Sequence, residues 1–493
     1  MRSIFWGAVL CLCASAPAWA QQAPAWRGYG GNAQHTAPAP AKAQKLRKIL
    51  WRTPVDLAPQ GGELFIHYAS PMITASNTVL LAVKTGSDTG FQIEAHRGAS
   101  GTLIWKKTTD FVFAPHDWTP SFPAHLTAQN RLYYAGAGGT VLFRDDPDLK
   151  KGAHGRMAFY GIDNYRANKA ALRASVMIDS PITADDAGNI YFAFAVTGSN
   201  PLGLKSGVAR IGADGKGMWV SAADAADDAS IVEVAQNCAP AVSADQSTIY
   251  LAVSDGAFGY LLGLDSATLR TKYKVRLMDP GSGEDALLFD DSSASPTVGP
   301  DGDIYYGVVE NPFPYHYDRG WLLHFSGDLA TLKTPGSFGW DDTASVVPTS
   351  AVTSYTGSSP YLLMTKYNNY YGAGGDGHNE IAIIDPDATQ KDRFSSVTVM
   401  REIMTKVNPT QMPGEPLGVV YEWCINSAVV DASGKAVIAN AEDGHTYRWD
   451  LVTGGLTSVD LNPPIGEAYT PTEIGPDGTI YAINDAVLYA LGK

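Results

Sequence analysis

Charge is scarce in this sequence. Asp, Glu, Lys and Arg make up 17% of its 493 residues, and the balance is acidic, at a formal net charge of −14. A surface of that sign repels polyanions, which excludes nucleic acid and anionic lipid as electrostatically driven partners. Cysteine is scarcer, with four in the chain. There is no Cys-x-x-Cys-His stretch for covalent haem, and neither the cysteines nor the histidines have the close spacing of a zinc site. Long apolar runs are missing, so the mature chain is not expected to span a membrane. Amphipathic helical windows are nearly absent, and Asn164 to Met177 is the one stretch that reads as helix. No Gly-x-Ser-x-Gly elbow is present. Gly136-Ala-Gly-Gly139 and Gly372-Ala-Gly-Gly375 lack the Lys-Ser/Thr of a phosphate loop.

Residues 1–20 read as a secretory leader, with Arg2 at its start, an apolar stretch from Ile4 to Leu12, and Ala18-Trp-Ala20 as the cleavage site. Cleavage after Ala20 predicts a soluble periplasmic or secreted protein. Cys11 and Cys13 leave with the leader, and Cys238 and Cys424 remain in an oxidising compartment. One disulfide between them is chemically allowed; two buried free thiols are the alternative.

What the chain does have is Gly (50), Pro (30) and Tyr (24), the composition of short strands joined by tight turns. Ser295-Pro-Thr-Val-Gly-Pro-Asp-Gly-Asp-Ile-Tyr-Tyr306 is a strand, a turn and a strand, and it returns as Thr470-Pro-Thr-Glu-Ile-Gly-Pro-Asp-Gly-Thr-Ile-Tyr481. Looser copies begin at Ser70, Ser121, Ser180, Ala239, Val347 and Ser427. Third and fourth apolar segments follow in several, as in Gly101-Thr-Leu-Ile-Trp105 and Gly217-Met-Trp219. Four short strands in units of roughly 40–60 residues predict propeller blades. The expectation is therefore an all-β chain: a single eight-bladed β-propeller of four-stranded antiparallel blades over 44–493, after a lead-in segment at 21–43. Its last blade should join Ile49 to Val55 with the C-terminal Ala486 to Leu491, which removes two exposed edges.

The opening Trp26-Arg-Gly-Tyr-Gly-Gly-Asn-Ala-Gln-His-Thr36, with Leu50-Trp-Arg-Thr53 and the Pro-Asp-Gly-x-Ile-Tyr units, resembles pyrroloquinoline quinone (PQQ)-like propeller repeat proteins. That resemblance implies a fold shared by quinoprotein dehydrogenases and by non-catalytic propellers. The alcohol dehydrogenases of this fold use a vicinal Cys-Cys pair, Ca²⁺ held by Glu and Asn, and a catalytic Asp. This chain has no Cys-Cys, which counts against PQQ. Glu422, Asn426 and Asp342 are the residues from which a Ca²⁺ site could be drawn.

In a propeller the loops that lead into the inner strands converge at one mouth. They carry His67 and Tyr68, Asp117 and Trp118, Asp179, Gln236 and Asn237, Asp291 and Ser292, Trp340, Asp341 and Asp342, Glu422 and Trp423, and Glu467 and Tyr469. Such an acidic, aromatic-rimmed mouth suits a hard cation, a polyol-like ligand or a protein partner. The plainer reading is that Asp and Ser there satisfy backbone N–H groups in turns. Lys366 to Glu380 interrupts the sixth unit, and its Asn368, Asn369, Asp376, Asn379 and Glu380 are oxygen donors for a metal or the shapers of a long surface loop. His116, Asp117 and His125 form the densest histidine group, whereas His324 and His445 sit on strands. Tyr191, Tyr250 and Tyr305 read as packing between blades. The function expected is a binding module at that mouth, for a protein or small-molecule ligand. The alternative is a quinoprotein-like oxidoreductase, or a metal-assisted enzyme acting on carbohydrate.

Overall fold

The structure, a computed structural model, describes residues 23–58, 69–86, 89–116, 120–289, 294–423, 425–461 and 472–493. The repeated turn sets the local geometry. Gly299 donates to Asp303 O at 2.7 Å and Gly302 to Gly299 O at 3.0 Å, while the Asp301 carboxylate accepts from the Asp303 N–H at 3.0 Å. Gly302 takes the left-handed φ of 89° that closes such a turn, and Gly478 does so at 81° in the second copy. Asn77 and Asn130 fill the same role in the first two units, at φ 62° and 60°.

Eight antiparallel sheets follow in chain order, beginning with inner strands at Met72–Ile73, Ala124–Leu126, Thr183–Ala184, Ala241–Val242, Thr297–Val298, Ser345–Pro348, Val429–Asp431 and Glu473–Ile474. We number the blades 1 to 8 in that order. The inner strand is in two pieces in blades 3 and 4. The outer edge of blade 5 is covered by bridges from Leu332 and Gly336 rather than a full strand. Blade 8 is closed as expected: Lys48–Pro54 pairs antiparallel with Val487–Gly492. The core lies between blades, where apolar side chains from facing sheets interdigitate.

Register corrects two of the unit starts. The residue immediately before the inner strand is Pro296 in blade 5, Ala344 in blade 6 and Thr472 in blade 8. Thr343, not Val347, is thus the counterpart of Ser295, and the last copy starts at Pro471. The proline at 348 is what misdirected the sixth. Residues 164–177 form two short helices, Ile162–Ala167 and Lys169–Ser175, before the strand at Val176.

The lead-in segment does more than space the ring from the leader. The inner strands present unpaired N–H and C=O groups to the channel axis, and residues 26–39 satisfy them blade after blade. Ile73 exchanges two bonds with Trp26; Leu126 N donates to Arg27 O, Val242 N to Ala33 O, Val298 N to Gln34 O, Val346 N to Thr36 O and Val430 N to Ala37 O, at 2.7–3.1 Å. In blade 3 the Arg27 guanidinium reaches Ala184 O at 2.9 Å. In blades 1 to 5 the contact is at the last residue of the inner strand, and in blades 6 and 7 it is one or two residues earlier, so this segment fills the end face of the channel.

Candidate functional site

The start face, opposite the filled one, holds those of the residues singled out by sequence that precede the inner strands and are described. His67, Tyr68, Asp117, Trp118, Asp291, Ser292, Glu467 and Tyr469 lie outside the described residues. Of the rest, several hold the ring together. Ser121 N donates to Asn237 Oδ1 at 2.7 Å, Asn237 N to Asp179 O at 3.1 Å, Ser295 N to Thr343 Oγ1 at 3.0 Å, and Thr343 N to Asn426 O at 2.9 Å. This is a belt of bonds from blade to blade around the axis. Tyr29 of the lead-in segment joins it, its hydroxyl meeting Thr343 Oγ1 at 2.6 Å and donating to Asn426 Oδ1. Trp423 is fully buried, packed edge-on to Tyr447, with its indole N–H on Asn379 O at 3.2 Å. It belongs to the core and not to the rim.

Blades 6 and 7 bring a charged group together. Gly339-Trp-Asp-Asp342 turns tightly over blade 5, with Gly339 N and Trp340 N both donating to Arg319 O. A β-carbon on Gly339 would lie 2.0 Å from Trp321 O, so only glycine fits. Asp341 takes a left-handed φ of 52°, tolerated by Asp. The turn puts Asp341 Oδ2 3.5 Å from the Lys366 ammonium, with both side chains 1% exposed. Asp342 accepts from the Thr365 hydroxyl and, at 3.4 Å, from the Lys366 N–H. Burial pushes the Asp342 carboxyl up to about 7; Lys366 and Thr365 oppose the rise and Asp341 adds to it. Glu422 is held well above the usual carboxyl range by burial first and then by Glu442, with Lys366 opposing and Asp318 reinforcing. Glu422 and Trp340 are partly exposed. Carboxyls that keep their protons near neutrality beside a lysine can donate as well as accept hydrogen bonds.

The interrupting loop is spent internally. Asn368 Nδ2 donates to Trp423 O at 3.1 Å, and its Oδ1 accepts from Trp423 N at 3.2 Å. Asn379 Nδ2 holds Val420 O at 2.8 Å, and Asn369 Nδ2 holds Asp376 Oδ1 at 2.7 Å. Glu380 pairs with Arg393, and Asp342 has the partners given above. Among the described residues no three His, Cys, Asp or Glu side chains converge as a metal site. His116 leans on Phe113 and bonds Ala114 O, whereas the buried His125 lies against Gly28 at the axis. His324 bonds Asp303 at 2.8 Å and stacks on Tyr305, and His445 packs on Tyr447. Cys238 is a buried free thiol, pushed up to about 12 by desolvation; Cys424 lies outside the described residues.

Sequence reasoning missed Lys366, Glu442, Asp318 and Tyr29 as members of the group. Lys366 had a signal: it is the one charge in the apolar strand Tyr361–Tyr367, where only a paired lysine can be buried.

No family model and no curated protein matches the chain. Among solved structures it is similar to the quinohemoprotein alcohol dehydrogenase of Comamonas testosteroni, with a TM-score of 0.56 at 9% identity over 97% of this chain and 82% of that one. A europium-containing methanol dehydrogenase gives the same TM-score and identity over 93% and 89%. Sqt1 of Saccharomyces cerevisiae gives 0.50 at 11% identity over 91% and 97%. At these identities the likeness is one of fold. The eight-bladed propeller architecture implied by the repeats is the architecture found.

Proposed function

We propose that this chain is an exported propeller acting as a binding module, which takes a protein or small-molecule ligand on the start face at blades 6 and 7. One observation carries the reading. The end face is filled by the chain's own lead-in segment, while the start face gathers Asp341, Asp342, Glu422 and Lys366 beneath the partly exposed Trp340. An aromatic edge over proton-bearing carboxyls suits a ligand rich in hydroxyl or amine groups. Export after Ala20 is part of the proposal. It is consistent with the lack, among the described residues, of any helix long and apolar enough to cross a membrane.

A quinone-dependent oxidoreductase is the alternative that the dehydrogenase neighbours bring to mind, and a bound Ca²⁺ or lanthanide the one that the europium protein does. The residues in place do not fit that site. Asn426 is taken by Tyr29, Asp342 by Thr365 and Lys366, and Trp423 has no free face. The chain also has no vicinal cysteine pair.

The test is to isolate the exported protein with whatever it retains. A ligand kept by the natural chain should be lost when Trp340→Ala and Asp342→Asn are combined, and kept when Asp477 on the opposite face is changed to Asn. Retention by the double variant would refute the reading. A quinone absorbance with dye reduction after adding PQQ and Ca²⁺ would replace it with the alternative.

A further inference from the structure

A cavity of about 700 Å³ lies away from that face, between blades 2 and 3. Phe159, Tyr160 and Leu204 form its buried floor, and Met157, Met218 and Trp219 stand in its partly exposed walls. Its existence traces to one tryptophan. Gly-x-x-x-Trp recurs as Gly101 to Trp105 in blade 1 and Gly215 to Trp219 in blade 3. In blade 1 a bulge between Ala95 and His96 shifts the outer strand by one residue, and the strand carrying Trp51 in blade 8 has a bulge too. Trp105 and Trp51 therefore face the following blade, where their indole N–H groups donate to Pro147 O at 2.7 Å and Gly98 O at 2.6 Å. Blade 3 pairs Gly217 to Ser221 with no bulge. A one-residue change of register turns a side chain to the other face of a sheet. Trp219 accordingly points back toward blade 2, beside Phe194, and among the described residues its N–H has no protein acceptor.

The polar groups of the cavity are unevenly spent. The Tyr160 hydroxyl donates to Gly138 O, the Arg156 guanidinium to Asp110 and Thr140, and the Asn164 amide to Tyr160 O. Among the described residues the donors left for a ligand are the Trp219 N–H and the Lys216 ammonium, which pairs with the exposed Asp214 at 3.3 Å. Such a surface pair costs little to displace. Both remaining groups are donors, and the lining includes no carboxylate on a chain that is acidic overall. We propose that this cavity is a second binding site, for an apolar or aromatic carboxylic acid. Its body would lie between Trp219 and the two methionines, with its carboxylate toward Lys216 and the indole N–H.

The probe is 8-anilinonaphthalene-1-sulfonate, an aromatic anion, added to the full chain and competed with decanoate or decanol. Saturable binding is expected, about tenfold weaker in Trp219→Ala and weakened in Lys216→Glu most strongly at low salt. Trp340→Ala should leave it unchanged, which separates this site from the start face. Decanoate should displace the probe and decanol should do so about tenfold less well. Trp219 is partly exposed, so its loss leaves the fold standing, and Trp219→Phe should recover part of the affinity. No saturable binding, an affinity indifferent to Trp219→Ala, or equal competition by the alcohol would each overturn the proposal.

Discussion

Replacing Asp342 with Asn should change the way stability depends on pH. Folded Asp342 keeps its proton up to about 7, against an ordinary value of 3.8, because burial outweighs the help of Lys366 and Thr365. Between those values the folded chain binds more protons at this site than the unfolded chain, so stability falls as pH rises. The contribution is intact below about pH 4 and lost by about pH 7. Three units at about 1.4 kcal/mol each set a ceiling of roughly 4 kcal/mol. Asn keeps the shape and can still accept from the Thr365 hydroxyl and the Lys366 N–H, yet it has nothing to ionise. In urea unfolding at pH 5, 6, 7 and 8, the natural chain should lose ground to the variant up to about pH 7 and level off by pH 8, whatever the offset between them. Parallel curves would refute the reasoning. So would a natural chain that gains on the variant with rising pH, since Asp342 would then be a carboxylate held by Lys366.

Three other outcomes are expected. Trp26→Ala removes a fully buried indole from the axis and should cost about 3–5 kcal/mol in urea unfolding, against less than about 1 kcal/mol for the partly exposed Trp340→Ala. Glu473 is buried with no partner within hydrogen-bond distance of its carboxyl oxygens among the described residues, and burial holds it well above the usual range against a pull from Ser70. Its proton is retained where the unfolded chain releases it, so Glu473→Gln should be more stabilising at pH 8 than at pH 4.5, as read from melting temperatures at both. Gly339→Ala forces a β-carbon to 2.0 Å from Trp321 O and should lower the melting temperature sharply, whereas Gly372→Ala meets no atom within 4 Å and should not.

The repeat made the architecture legible. Pro-Asp-Gly turns and Ile-Tyr strands are local chemistry, and the fragment Leu50-Trp-Arg-Thr53 matched the strand that the C-terminus lacked. What stayed hidden depends on pairing. Thr343 opens blade 6 without a proline, and only its ladder with Met364 and Leu363 downstream reveals the register. The part played by the lead-in segment stayed hidden because most of its bonds to the inner strands are made by main-chain atoms, which carry no residue signature. The direction of Trp219 turns on a bulge that is absent, and a shared Gly-x-x-x-Trp gives no hint of that. At the start face, Asp341 and Asp342 were visible as charges. The lysine that faces them was missed because burial of a single cation needs partners from another strand.

The stretch 26–39 also works as a ruler. It meets blades 1 to 7 in chain order, with Arg27 serving both blade 2 and blade 3 through its carbonyl and its guanidinium, so the number of blades is written in the length of a linear segment as well as in the closure of the ring. A duplicated blade would present an inner edge for which that segment has no residue left, and a deleted one would throw every later contact out of step. Propellers often change size by gaining or losing a repeat unit. In this one such a change would have to be matched, residue for residue, at the opposite end of the chain from most of the blades it serves.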